Sequence, residues 1–128
     1  MMVAINFTLP GAPEMIRSGR KITTFRPYKD GTKFEQITKA NNLELYWKQR
    51  TKECYKIADA ELVKIKKLPH LFVIINYGVD MKTAFNDGFN SKAEMWGFFD
   101  KHYTYEQLTD PWYCVTFRVK GDADACQP

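Results

Sequence analysis

A short segment near the N-terminus places cations and hydroxyl groups beside a turn. Residues 19–26 read GRKITTFR and follow the predicted end of a short helix. Ammonium, guanidinium and hydroxyl donors next to a turn form a typical element for binding anions and polar ligands. The candidate ligand-binding residues of this segment are Arg20, Lys21, Thr23, Thr24 and Arg26.

The spacing of Lys21 and Thr24 constrains the local backbone. In a regular strand, Lys21 would share a face with Thr23, because side chains alternate between the two faces. Lys21 and Thr24 face one cavity only if the segment bends or bulges between them. Bent loops that lead into a strand often carry binding sites. The pattern therefore predicts a cleft beside this segment.

The same segment resembles the signature G-x-K-x-x-T-x-R of the ASCH domain family. Gly19, Lys21, Thr24 and Arg26 fill its four positions. The resemblance covers nearly the whole chain except a loop at 29–42 and the C-terminal tail. It implies a PUA-like β-barrel with a cleft beside the signature loop, and it implies binding of RNA or a modified nucleoside.

A second function is implied by the same resemblance. Some ASCH proteins are small amidohydrolases that remove the acyl group from N4-acetylcytidine, using the signature lysine and threonine with a carboxylate. The corresponding residues here are Lys21 and Thr24, and the nearest acid is Asp87, where those enzymes have glutamate. The resemblance implies no metal ion and no cofactor. Whether the chain is an enzyme stays open at this point.

Amide hydrolysis needs a nucleophile, a proton carrier and stabilisation of an oxyanion. Lys21 can act as a base only if burial or nearby cations such as Arg20 and Arg26 lower its pKa. Asp87 either orients Lys21, protonates the leaving amine, or shapes a turn with the following Gly88. Arg26 either contacts a phosphate or forms a structural ion pair.

Length and charge agree with one domain and an anionic partner. The chain has 128 residues and a formal net charge of +4, and a chain of this size folds as one domain. Residues 1–68 carry 14 basic and 7 acidic side chains, whereas residues 69–128 carry 5 and 8. The basic half favours RNA or another anion as partner. We expect the domain to span 1–120, with a disordered tail at 121–128.

Metal-ligating side chains are scattered along the chain. Cys54, Cys114 and Cys126 form no CxxC pair, and His70 and His102 lie far from one another. This spacing predicts no metal site. The N-terminus shows no signal peptide, and the longest run of aliphatic and aromatic residues, 71–75, is too short to cross a bilayer. We expect a cytoplasmic protein without a membrane partner; its oligomeric state is not indicated.

Hydrophobic alternation predicts five strands. They cover residues 3–7, 43–47, 55–68, 71–75 and 112–119. In the third of them the apolar positions change parity between Leu62 and Val63, so that Val63 and Ile65 continue the apolar face. One inserted residue, a β-bulge, explains that change. Asn76 and Tyr77 follow a predicted strand and are candidates for reading a base.

Helical signals are fewer. We expect a short helix at 13–17 ending at Gly19, a helix that begins at Ser91 with a Ser91–Glu94 capping box, and one further turn at 105–108. Residues 29–42 are expected to form an exposed, mobile loop with one helical turn at 34–37. Three tryptophans and the helix residues Phe98, Phe99 and Tyr103 are interpreted as core-packing, although a tryptophan could also stack on a base. The tryptophans are Trp47, Trp96 and Trp112.

Few predicted strands are separated by helices, so the sheet should be mixed or antiparallel. The fold class that follows is α+β and mostly β. Its architecture is a PUA-like small mixed β-barrel with two or three flanking helices.

Overall fold

A computed structural model describes residues 2–40, 42–69 and 81–120. Five strands and five helices lie in these ranges. The strands are β1 (Met2–Phe7), β2 (Thr23–Pro27), β3 (Asn42–Trp47), β4 (Tyr55–Leu68) and β5 (Trp112–Val119). The helices are α1 (Ala12–Arg17), α2 (Thr32–Thr38), α3 (Met81–Asn86), α4 (Lys92–His102) and α5 (Tyr105–Thr109).

The strands form one sheet in the order β1-β3-β4-β5-β2. β1 runs parallel to β3, and the other neighbours are antiparallel. The sheet curls into a half-barrel, which confirms the predicted mixed, PUA-like α+β architecture. The predicted strand at 71–75, the candidates His70, Asn76 and Tyr77, and the tail with Cys126 lie outside the described residues.

The alternating patterns bury one face of each strand. Val3, Ile5 and Phe7 of β1 pack with Leu43 and Leu45 of β3 in the larger core cluster. A second cluster surrounds the fully buried ring of Trp112 and includes the inner face of α4. Both clusters are apolar, and burial of this kind is the main stabilising contribution to a fold of this size.

Two bulges bend the long strand β4. The register against β5 shifts between Leu62 and Lys64, which confirms the predicted bulge. Val63 is the inserted residue and is 51% exposed, so the expectation that it continues the apolar face is wrong. A bulge turns its extra side chain out of the ladder. A second register shift, opposite Leu45 and Tyr46, was not predicted and leaves Ile57 buried.

The helix count of two or three is wrong, since five helices lie in the described ranges. The expected loop at 29–42 contains α2, where Ile37 is buried and the ring of Phe34 lies 5.6 Å from that of Tyr113. Two apolar residues three positions apart on one helix face anchor this short helix to the barrel. The helical turn predicted at 34–37 lies within α2, and the polar residues around it gave no indication of the rest of the helix.

The caps of α4 and α5 differ from the prediction in one detail. Ser91 accepts a hydrogen bond from the Glu94 N–H at 3.0 Å, but the Glu94 carboxylate accepts from the Asn90 N–H instead of closing the box at Ser91. The complete capping box belongs to α5, between Thr104 and Gln107. Both arrangements satisfy N–H groups that a helix start leaves without partners.

Strands β1 and β2 are the two edges of the half-barrel and face each other across a seam. Arg26 of β2 donates to the Asn6 carbonyl of β1, and Lys33 of α2 donates to the Ala4 carbonyl at 2.7 Å. Side chains thus replace a backbone ladder at this seam. An edge held by side chains leaves room for a cleft. Within the described ranges, no helix has both the length and the apolar character needed to cross a bilayer.

Candidate functional site

The segment between α1 and β2 bends before the strand begins. Gly19 ends the helix with a positive φ of 84°, a conformation that glycine adopts without a steric penalty. The Lys21 N–H then donates back to Met15, and the Ile22 N–H donates to Asn86 at the end of α3. Regular pairing with β5 starts only at Thr23. Because of this bend, Lys21 and Thr24 line the same cavity.

That cavity, here called the cleft, has a volume of about 270 Å³. Its polar end is formed by Lys21, Thr24, Arg26 and Asp87. Its remaining walls come from the end of β1 and from aromatic rings of the second core cluster. These walls are Asn6, Phe7, Thr8, Leu9, Phe25, Phe89, Phe98, Phe99 and Tyr103. Aromatic rings beside a few convergent polar groups are typical of small-molecule sites.

Lys21 is the most constrained of the polar side chains. It is 3% exposed, and its Nζ donates to the carbonyls of Asp87 at 2.6 Å and Thr23 at 2.9 Å. The Asp87 carboxylate lies 3.3 Å from the same nitrogen. Three acceptors therefore surround an ammonium group with three protons, and its position in the cleft is fixed.

Asp87 follows α3 and is 2% exposed. Its Oδ1 accepts a hydrogen bond from the Thr23 hydroxyl at 3.1 Å in addition to the lysine contact. The next residue, Gly88, has φ +99°, and a Cβ atom at this position would lie within 3.3 Å of Leu9, Met15 and Lys21. Asp87 thus both precedes the turn at Gly88 and contacts Lys21, so two of the roles considered for it are compatible.

Burial shifts the two members of this ion pair toward their neutral forms. Burial lowers the pKa of Lys21, and the neighbouring Asp87 opposes this shift without cancelling it. Burial raises the pKa of Asp87, and Lys21 opposes that shift. A lysine amine and a carboxyl group whose pKa values approach each other can exchange a proton, which is what general acid–base chemistry requires.

Thr24 is held from one side by Arg26. The Arg26 Nε donates to the Thr24 Oγ1 at 2.9 Å, while a terminal nitrogen of the same guanidinium donates to Asn6 across the seam. Burial lowers the pKa of Arg26, but a guanidinium remains protonated in proteins. A cationic donor at Thr24 leaves the hydroxyl proton of Thr24 available for an acceptor in the cleft.

The remaining sequence candidates lie near the cleft without lining it. Thr23 contributes through its bond to Asp87. Arg20 lines an adjacent groove, where it bonds Asn90 at 2.7 Å and stacks on Phe85. None of the three tryptophans lines the cleft. Cys114 is no thiolate nucleophile at neutral pH, since burial raises its pKa to about 12.

Sequence reasoning missed the walls of the cleft. Phe98, Phe99 and Tyr103 were expected only to pack the core, and they also line the cavity. The partial burial of Phe98 and Tyr103 distinguishes them from core residues, and sequence periodicity does not report it. Among the described residues, no group of three or more His, Cys, Asp or Glu side chains is placed to hold a metal ion.

The curled sheet, the bent signature segment and the cleft together define a class: the chain has the ASCH fold, a PUA-like fold. No family model and no curated protein matches its sequence. Solved structures do match. An ASCH domain from Lactobacillus crispatus JV V101 aligns with a TM-score of 0.55 and 16% identity, over 92% of this chain and 79% of that one.

Two further solved structures share the fold. The hypothetical protein PH0355 aligns with a TM-score of 0.62 and 11% identity, over 93% of this chain and 99% of that one. Protein EF3133 from Enterococcus faecalis V583 aligns with a TM-score of 0.57 and 20% identity, over 93% of this chain and 76% of that one. At these identities the likeness shows the fold, and it supports the resemblance that the signature residues indicate.

Proposed function

We propose that the cleft binds one base of a nucleoside, either as a free modified nucleoside or as an unstacked base of RNA. The observation that carries this proposal is the convergence of Lys21, Thr24, Arg26 and Asp87 at one end of a cavity of about 270 Å³. Ligand cavities commonly hold roughly 300–1,000 Å³, so this one suits a small, planar group. Donors and acceptors at its end match the polar edge of a base.

The aromatic walls support the same ligand. Bases outside a helix are commonly recognised by packing against aromatic rings and by hydrogen bonds to their edges. The cleft offers the rings of Phe7, Phe89 and Phe98 beside its polar end. RNA would then present a single base turned out of the strand, and the backbone would stay outside the cleft.

Titration calorimetry with cytidine, uridine and N4-acetylcytidine tests this binding function. Thr24→Val keeps the shape of the side chain and removes the hydroxyl, so we expect at least a tenfold weaker binding of the preferred nucleoside. Lys92→Gln, an exposed change in the first turn of α4, is the matched control and should bind as the wild type does. No binding of any nucleoside at millimolar concentration would contradict the proposal.

A second candidate function is metal-independent hydrolysis of an N4-acylcytidine. The buried Lys21–Asp87 pair and the Thr24 hydroxyl line the same cleft, which favours this reaction. In this reaction the Thr24 oxygen attacks the acyl carbonyl, and its proton passes to a neutral Lys21 amine. Asp87 in its protonated form donates to the leaving N4 nitrogen. Water then releases the acyl group from Thr24 as a carboxylic acid.

Chromatography of N4-acetylcytidine incubated with the protein separates the two functions. Hydrolysis yields cytidine and acetate in equal amounts, and both Lys21→Met and Thr24→Val should reduce the rate at least a hundredfold. Asp87→Glu restores the acid that the amidohydrolases of the resembled family carry, and the rate should not fall below that of Asp87→Asn. Binding of the nucleoside without turnover would reject hydrolysis and leave the binding function standing.

A further inference from the structure

A second groove, here called the annex, opens beside the cleft. It has a volume of about 730 Å³ and lies between the start of α1, the turn after α3 and one face of α4. Thr8, Leu9, Phe89 and Phe98 line both cavities. The two cavities are therefore direct neighbours, with these four residues at their common border.

The annex carries an excess of cationic and donor groups. Arg20, Lys101 and His102 line it, with Glu94 as its one acidic lining residue among those described. Glu94 already accepts the Asn90 N–H at 2.6 Å. The ring of His102 stacks on Phe98 with centroids 4.3 Å apart, and its Nδ1 contacts the Phe98 carbonyl. Such a surface attracts an anion.

Arg20 is oriented before any ligand arrives. One terminal nitrogen donates to the Asn90 side chain at 2.7 Å, and the guanidinium lies 4.2 Å from the centre of the Phe85 ring. Its Nε is buried and has no hydrogen-bond acceptor in the described part of the chain. Because this nitrogen has almost no accessible surface, an anion in the annex would bond the terminal nitrogens of the guanidinium, which are also donors.

Gly97 leaves the α4 side of the annex without a side chain at this position. It lies in the middle of α4, where glycine is about 1 kcal/mol less favourable than alanine. A Cβ atom at this position would meet nothing within 4 Å. Packing within the protein therefore does not require the glycine. A glycine in a groove wall allows a ligand to approach the helix backbone closely.

We propose that the annex is a phosphate subsite, so that the preferred ligand is a nucleotide with its base in the cleft and its phosphoryl group between Arg20 and Lys101. This inference rests on the proposed base-binding function and adds the chemical class of the ligand. The phosphoryl group belongs either to a free nucleoside monophosphate or to the phosphodiester of an unstacked RNA nucleotide. The recognising chemistry is the same in both.

Titration calorimetry of the whole chain at low salt tests the subsite with three probes. They are cytidine, cytidine 5′-monophosphate and a trinucleotide of RNA with central cytidine. We expect the monophosphate to bind about tenfold tighter than cytidine, and this preference should shrink as salt is added. A trinucleotide that binds tighter still identifies RNA as the source of the phosphate, and a weaker one identifies the free nucleotide.

Three variants locate the subsite. Arg20→Gln and Lys101→Gln should each remove most of the preference for the monophosphate and leave the affinity for cytidine unchanged. Gly97→Leu fills the annex without touching a charge and should act in the same way, while Gly97→Ala and Lys92→Gln serve as controls. Loss of the Arg20 stacking in Arg20→Gln could destabilise the chain. Lys101 is exposed at the end of α4, so Lys101→Gln should fold and tests the subsite independently.

The outcomes distinguish this inference from the function on which it rests. Equal affinities for cytidine and its monophosphate would overturn the phosphate subsite and leave base binding intact. A preference that persists in the Arg20→Gln, Lys101→Gln and Gly97→Leu variants would place the phosphate elsewhere and would also overturn it. If neither probe binds, base binding itself fails.

Discussion

The Lys21–Asp87 pair is an ion pair that is costly to bury. Both side chains are almost fully buried, and their charged atoms lie 3.3 Å apart. Removing two charges from water costs several kcal/mol each, and their mutual attraction often does no more than offset this cost. A pair of this kind at the end of a cavity is more readily explained by function than by stability.

Single and double substitutions of the pair should show this balance. Lys21→Met leaves a buried carboxyl without its cation, and we expect a loss of about 3–5 kcal/mol in the free energy of unfolding. The double variant Lys21→Met/Asp87→Leu should recover most of that loss, because neither charge of the pair remains. Urea denaturation of the wild type, both single variants and the double variant measures the coupling. A double variant less stable than either single one would contradict the argument.

The pH dependence of Lys21→Met follows from Asp87. Burial already raises the pKa of Asp87 above its ordinary value of 3.8, and loss of the lysine removes the contact that opposes this rise. A carboxyl with a raised pKa in the folded state contributes stability that is complete below 3.8 and is lost as pH rises through the folded-state pKa. The variant should therefore be less stable at pH 7 than at pH 4, by urea denaturation. Asp87→Leu in the same background should abolish this slope.

Arg26 joins the catalytic hydroxyl proposed above to the barrel seam. One guanidinium bonds both Thr24 and the Asn6 carbonyl, which requires a planar group with several donors in fixed directions. Arg26→Lys keeps the charge but serves only one of these acceptors. We expect about 1–2 kcal/mol lower stability and about tenfold weaker nucleoside binding. Equal affinity in calorimetry would show that the seam contact does not shape the cleft.

At the residue scale, the sequence indicated which polar side chains gather at the cleft, but it did not indicate their hydrogen-bond partners. Lys21, Thr24 and Arg26 were found through the spacing of one segment, and Asp87 through the resemblance. The partners of Arg26 and the position of Arg20 depend on strands and helices far away in the chain. Asn6 is 20 residues from Arg26, and Asn90 is 70 residues from Arg20. Local pattern carries no information on such contacts.

At the scale of elements, the regular alternation of apolar residues was sufficient to predict the strands. The short helices carry a weaker sequence pattern and were harder to predict. β1, β3, β4 and β5 lie where apolar residues alternate, and the bulge at Val63 was visible as a change of parity. α2 was predicted only as one helical turn at 34–37 within a loop, because only Phe34 and Ile37 mark its buried face in a polar segment. A helix of seven residues is stable only through such tertiary packing. Its own composition predicted a loop.

The turn after α3 joins the elements that build the cleft, and Gly88 is its critical residue. Its φ of +99° is unfavourable for any residue with a Cβ. A Cβ would lie 3.1 Å from Leu9, 3.2 Å from Met15 and 3.3 Å from the Lys21 side chain. Gly88→Ala should lower the free energy of unfolding by about 1–3 kcal/mol in urea denaturation. Gly97→Ala, a change without strain or contact, is the control and should be neutral or stabilising.

At the scale of the whole molecule, the cleft and the exposed lysines suit different parts of an RNA ligand. The cleft suits a base, and the lysines suit the phosphate backbone. The cleft at the seam between β1 and β2 is small, with a volume of about 270 Å³, and suits the single base proposed as its ligand. The exposed side chains of Lys64 and Lys66 lie two residues apart on β4, opposite Thr116 and Cys114 of β5, and thus on one face of the sheet. Such lysines protect a strand from aggregation, and they also suit a phosphate backbone.

The salt dependence of RNA binding tests whether these lysines contact a phosphate backbone or only protect the strand from aggregation. If Lys64 and Lys66 follow an RNA backbone, the double variant Lys64→Gln/Lys66→Gln should weaken binding of a ten-nucleotide single-stranded RNA. Each lost phosphate contact removes about 0.7 from the slope of log K against log salt for a single strand, so the slope should fall by roughly 1.4. Cytidine affinity should not change, because neither lysine lines the cleft.

Fluorescence anisotropy at several salt concentrations measures the slope, with Lys39→Gln/Lys92→Gln as a control of equal charge change. A slope that falls equally in both variants would assign the effect to net charge alone, since the long-range field depends on the sum of charges and not on their positions. A slope that falls only in the β4 variant would extend the ligand from one nucleotide in the cleft to a strand that crosses the sheet.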